Sequence, residues 1–311
     1  MLVGPALMLV APALMLVAPA QAGAQSLDPR LRGDDAPLWY LQLDNDVLFH
    51  TDRWYTSGVR IARVSHDVEW GITQEIYTPD VQHGPPGAPD RSPTARLLAT
   101  VDQHFRGEFA YQTVGLALGV RGPSALGEQT QKLVHRVVPS GADIDWTRQM
   151  RPDEYDASVV WARTQRSASA SPMGEGLKLH FGAVLGNQEL FAHLGAEYRI
   201  GDDAARGLSS RLLRFAATPP VADSGAPALG WSAFAGASVR GVARNQTIAQ
   251  DYDPTKPELE LERAVGRFAV GATYGGRWGS VELDIAADTR EFKGQHLAAQ
   301  PFGSLTLHFS F

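Results

Sequence analysis

The sequence has no cysteine, which removes disulfides, thiolate zinc sites and cysteine nucleophiles together. It has no basic excess. Twenty-eight Lys and Arg stand against 34 Asp and Glu, a net charge of −6, so no nucleic-acid partner is expected. Beyond its N-terminal leader it has no run of 18 apolar residues, so no helical membrane span is expected there. It has no HExxH motif. Its nearest approach to G-x-S-x-G, at Gly122, Ser124 and Leu126, fails at the last position, so Ser124 is not read as a nucleophile elbow.

What is present points to strands. The 31 glycines and 20 prolines among 311 residues suit a turn-rich β protein. Residues 1–22 form an apolar stretch ending in Ala20-Gln21-Ala22, the pattern of a cleaved export signal. Residues 1–24 are therefore set aside as a signal peptide, and 25–311 are expected to form one domain outside the cytoplasm. Within it, apolar residues recur with period two. Leu305, Leu307, Phe309 and Phe311 face one way, and Ser304, Thr306, His308 and Ser310 the other. Val281, Leu283 and Ile285 alternate with Glu282 and Asp284 in the same manner. Such segments suit either a soluble sandwich or a barrel whose apolar face meets lipid. Export, membrane-spanning segment length and the terminal aromatic Phe311 favour the barrel.

The expected fold is thus all-β, an antiparallel transmembrane barrel of about twelve strands. The strands are read at 38–48, 55–66, 68–78, 94–103, 108–120, 154–165, 176–187, 189–200, 230–247, 259–274, 278–289 and 300–311. An even count puts both ends on the periplasmic side and the odd-to-even connections outside. It also puts the long segment 201–229 on the periplasmic side, against the rule that those turns are short.

Polar chemistry gathers in two connections. Asp44, Asn45, Asp46 and Asp52 cluster around the first hairpin as hard oxygen donors suited to calcium, although local sequence alone favours a solvated acidic loop. Between 122 and 153, Ser124 is expected to cap a helix that carries Glu128, Gln131 and His135 on one face. His135 is a candidate proton acceptor near neutral pH, or simply an exposed loop histidine. Two classes of function follow. One is a hydrolase at the barrel rim, and the other a non-catalytic barrel, either a narrow pore or a structural protein. An outer-membrane phospholipase is a third reading.

Asn45-Asp46, the Thr-Asp-Arg-x-Tyr-Thr-x-Gly run at 51–58, Ile76-Tyr77-Thr78-Pro79, Asp90-Arg91, and Gly-Pro-Ser-Ala-x-Gly-x-x-x-Gln-x-x-x-His at 122–135 resemble, in this order, the outer-membrane lipid A 3′-O-deacylases. Trp146 follows at the family's usual distance. The resemblance is dense from about 38 to 150. It implies calcium-dependent hydrolysis of ester-linked acyl chains at the 3′ position of lipid A, at the extracellular rim of a barrel in the Gram-negative outer membrane. His135 would be the general base, with Asn45, Asp46 and Thr56 around it. Gln131, Arg53 and Arg91 would meet the lipopolysaccharide substrate, and Asp46, Asn45 and Glu128 would hold Ca2+. A terminal aromatic like Phe311 resembles the signal read by the outer-membrane assembly machinery. The chain departs from the family at Ser92-Pro93-Thr94-Ala95-Arg96, where an aromatic-glycine stretch is usual, and at Pro139-Ser140-Gly141, where an acidic residue is usual.

Overall fold

The structure, a computed structural model, describes residues 38–46, 49, 51, 53–81, 90–107, 110–137, 144–148, 152–166, 176–202, 212, 230–249, 259–276 and 279–310. The expected signal segment 1–24, Asp52 and the terminal Phe311 lie outside the described residues. Twelve strands run in order: β1 (Leu38–Asn45), β2 (Trp54–Ser65), β3 (Val68–Thr78), β4 (Thr94–Arg106), β5 (Ala110–Arg121) and β6 (Glu154–Arg166). They continue as β7 (Gly176–Gly186), β8 (Glu189–Gly201), β9 (Gly230–Asn245), β10 (Ala264–Gly276), β11 (Gly279–Thr289) and β12 (Ala299–Ser310). Each pairs antiparallel with its sequence neighbours, and β1 closes on β12 from Leu38↔Ser310 to Asn45↔Gly303. Closure leaves no unpaired edge.

The alternation read from the sequence is the alternation of the wall. In β3, Glu69, Thr73 and Glu75 are buried in the lumen, whereas Trp70 and Ile72 are exposed on the outside at 61% and 60%. A wall that is apolar outside and polar inside suits a barrel in lipid. Both ends share one rim, here the terminal rim. The connections after odd-numbered strands share the other, the distal rim. β1 stops at Asn45 rather than 48, and β10 begins at Ala264 rather than 259. The second difference has a visible cause. Leu261 leaves the ladder, makes one isolated bridge to Phe292 and joins the lumen core.

The lumen is filled. On one side Arg60 donates to Glu69 at 2.6 Å and to the Tyr40 hydroxyl at 2.8 Å, with Asp102 at 3.4 Å. Arg96 joins Asp156 at 2.7 Å and Glu189 at 2.8 Å, and Arg267 joins Asp288 at 2.5 Å. Charges so far from water persist because each has a partner of opposite sign and a hydrogen bond to it. Above them, Ile248, Leu261 and Phe292 from distal connections pack on Val160, Val184, Phe191 and Val242 of the wall. From the opposite end, segment 202–229 contributes Leu212, only 1% exposed, against Tyr55, Tyr77, Phe234 and Phe302. That long connection does emerge at the terminal rim, and its Leu212 is buried inside the barrel while Asp202, where it begins, is exposed.

Candidate functional site on the outer wall

The first hairpin is shaped by one misfit in its ladder. Along β2 and β3, Tyr55 pairs with Tyr77 and Ser57 with Ile76, so Thr56 is an extra residue. Strict alternation would send Thr56 inward with Gly58 and Arg60. The bulge instead turns its hydroxyl to that of Thr78, 2.5 Å away, on the outward side shared by Gln74 and Ile76. A β-bulge re-aims a side chain in this way at the cost of local pairing. β1 pairs regularly through Asn45, and the bulge lies across from it, on β2.

Asn45 and Asp46 therefore part company. Asn45 ends the outward row that contains Leu41 and Leu43, while Tyr40 and Asp44 face the lumen. Asp46 is 1% exposed, and its Oδ2 accepts from Thr51 Oγ1 at 2.9 Å and from the Arg53 backbone N–H at 3.1 Å. This carboxylate organises the hairpin tip.

The connection from β5 to β6 folds onto the outer wall. A 3-10 turn at Pro123–Ala125 ends at Leu126, whose left-handed backbone (φ 61°) separates it from helix α1 (Gly127–Val137). The expected N-cap is thus displaced. Ser124 lies in the 3-10 turn, and its hydroxyl donates to Asp153 instead of capping α1. Ala125, Ile144 and Trp146 pack on Ile76 and Ala95, with Leu97 and Val120 beside them. These wall residues face outward, by the same alternation that exposes Ile72 and Leu118. Two polar ties complete the seating. Gln74 Nε2 donates to the Ala125 carbonyl at 2.6 Å, and Trp146 Nε1 donates to Gln131 Oε1 at 2.8 Å. Gln131 is 5% exposed, and the half-buried His135 follows one turn later on the same face.

The expected residues divide accordingly. Asn45, Thr56, Gln131 and His135 belong to the outward side of the distal rim, on β1, β2 and the helix over β3 and β4. Glu128, at the start of the same helix, pairs with Lys132 at 2.6 Å. Arg53 lies over the Trp54 ring and 3.5 Å from Asp80. Arg91, 2% exposed, stacks over Tyr77 and donates to the Thr247 carbonyl of the short helix α2 (Gln246–Ala249) across the mouth. Among the described residues, no three His, Asp or Glu side chains gather in a way that could hold a metal ion. The Asn45 amide and Asp46 carboxylate are nonetheless hard oxygen donors of the type calcium takes. Gln74 and Asp153 were not singled out from sequence, and Thr78 stood there only within the run Ile76-Tyr77-Thr78-Pro79. Only Gln74 carried a signal there, as a polar residue in the outward row Trp70, Ile72, Gln74, Ile76.

A sequence model of the family described as "Outer membrane protein LpxR" matches residues 62–311. The solved structure of LpxR from Salmonella typhimurium aligns at a TM-score of 0.74 and 22% identity, covering 88% of this chain and 100% of that one. The beta domain of the Bordetella autotransporter BrkA aligns at a TM-score of 0.42 and 9% identity, covering 89% and 100%. No curated protein sequence matches the chain.

Proposed function

We propose, from the premise that this chain belongs to the LpxR family of outer-membrane proteins, that it is a lipid A deacylase acting at the extracellular rim. The bond cleaved is the ester of an acyl chain at the 3′ position. The observation that carries this reading is the seating of the β5–β6 connection on the outward face of the wall, with Gln131 of α1 tied to Trp146 there; in a membrane, His135 on that helix would meet lipid and not the lumen. Lipid A lies in that layer.

In the reaction, the His135 imidazole accepts a proton from a water molecule as its oxygen attacks the ester carbonyl carbon. The acyl carbon–oxygen bond then breaks. The proton passes to the departing sugar oxygen, giving a free fatty acid and a 3′-hydroxyl. Asn45 and Thr56 supply N–H and O–H donors on the same side of the wall, suited to the negative charge that develops on the carbonyl oxygen. Calcium, when bound by Asn45 and Asp46, would add positive charge at that oxygen. Gln131 holds the Trp146 side of the connection and presents its amide beside the imidazole's helical face.

Mass spectrometry of lipid A from a Gram-negative host, with and without the expressed chain, tests the proposal. Loss of the 3′ acyl group is expected. Unchanged lipid A overturns it, and loss of acyl chains from phospholipid alone would make the enzyme a phospholipase.

A further inference from the structure

The β5–β6 connection leaves the wall at Arg121 and returns at Glu154, so α1 is part of an excursion of 32 residues, 122–153. Its two ends meet. Asp153 Oδ1 accepts the Ser124 backbone N–H at 2.8 Å, and Asp153 Oδ2 accepts the Ser124 hydroxyl. Gly122 makes the approach possible. Its φ is +129°, and a Cβ there would stand 2.9 Å from Asp153 Oδ1 and 3.1 Å from Asp153 Cα. Both bonds use a charged acceptor, the stronger kind of hydrogen bond. The tie fixes the 3-10 turn just before the left-handed step at Leu126, and that step sets the direction in which α1 departs. A small rotation at the base of a helix is magnified along its length, and His135 is near the far end.

We infer that Asp153 is a positioning residue for His135: it clasps the two ends of the excursion so that α1 lies in one place on the wall. This rests on the deacylase reading for its kinetic test but not for its structural one. Misplacing a catalytic group by about 1 Å can cost on the order of a hundredfold in rate. Removing the carboxylate should therefore lower kcat by about ten- to a hundredfold while leaving KM close to wild type, because the wall itself is untouched.

The test compares the full-length wild type with Asp153→Ala, Asp153→Asn and Ser124→Ala in detergent micelles. Folding is read by the heat-modifiable gel mobility of the barrel, turnover with purified lipid A, and the seating of α1 by amide hydrogen exchange over 127–137. Asp153→Ala is expected to fold, to lose kcat with an unchanged pH profile, and to exchange faster over 127–137. Asp153→Asn keeps an acceptor for the Ser124 N–H and gains a donor for its hydroxyl oxygen, so it should recover most of the activity. Wild-type kcat and wild-type exchange in Asp153→Ala would overturn the inference. If Asp153→Ala does not fold, Ser124→Ala, which removes one of the two bonds, must show a partial loss of kcat and partly faster exchange, or the inference fails. If the wild type is inactive on lipid A, the deacylase reading fails while the exchange data still decide whether Asp153 holds the helix.

Discussion

The benzo edge of Trp146 abuts Gly127, and only a glycine fits between the indole and the wall. A Cβ at Gly127 would stand 2.5 Å from the Ala95 Cβ and 2.8 Å from Trp146 Cη2. Neither neighbour can retreat easily, because Ala95 is on the barrel and Trp146 is tied to Gln131. Gly127→Val should therefore lift α1 from the wall. Deacylation is expected to fall at least as far as in Asp153→Ala, with the barrel folded. Trp146 fluorescence shifting to the red would report the lifted contact, and an unshifted spectrum with full activity would contradict the packing.

His135 is half-buried on a surface helix, so its loss should change stability by only about 0.5 kcal/mol. His135→Ala is expected to insert and fold as the wild type does but to release no fatty acid. Retained turnover would remove His135 from the chemistry. His135→Gln, which keeps hydrogen bonding but cannot take up the proton, should be equally inactive.

Arg60 is the hub of one lumen cluster, bonded to Tyr40, Thr73 and Glu69 with Asp102 beside it. Arg60→Ala leaves buried carboxylates without their cation and should destabilise the barrel by about 3–5 kcal/mol. Urea titration followed by gel mobility measures this. A midpoint equal to wild type would mean that water or another cation replaces the guanidinium.

Arg91 is expected from sequence to meet substrate, but it is turned inward over Tyr77 and toward Thr247. Arg121 makes a parallel tie, donating to the Gln246 carbonyl at 2.8 Å. Arg91→Ala should leave KM for lipid A unchanged and loosen the mouth. In planar bilayers the wild type should be silent and the variant should show brief conductance steps. A raised KM with no conductance would restore the substrate role.

Calcium should raise the thermal unfolding temperature if Asn45 and Asp46 hold it, because a ligand bound only by the folded state stabilises that state. Asp46→Asn should remove the rise. Chelation should stop turnover and added calcium restore it. Thermal and kinetic data that are both indifferent to calcium would remove the ion from the site.

The twelve strands were legible because each has one face in lipid and one in a polar lumen, as with Val281, Leu283 and Ile285 against Glu282 and Asp284. The helix and its histidine were legible from local periodicity. The seating of that helix was not. Whether 122–137 enters the lumen or lies outside depends on Ile76, Ala95 and Val120 meeting Ala125 and Trp146, contacts between residues distant in sequence. The outward turn of Thr56, named from sequence as a site residue, was not legible for a related reason. A bulge is a property of two paired strands, and its neighbour Thr78 is 22 residues away. The direction of Arg91 was not legible because an arginine next to an aspartate looks the same whether it points out or, as here, across the mouth.

The crowded interior decides where a cleaved chain can go. With Ile248, Leu261 and Phe292 seated from one side and Leu212 from the other, the described part of the cylinder offers no conduit for a fatty acid. On the proposed deacylase reading, an acid set free beside α1 departs sideways into the surrounding leaflet, and the cylinder serves as a stiff post that holds the chemistry at its depth.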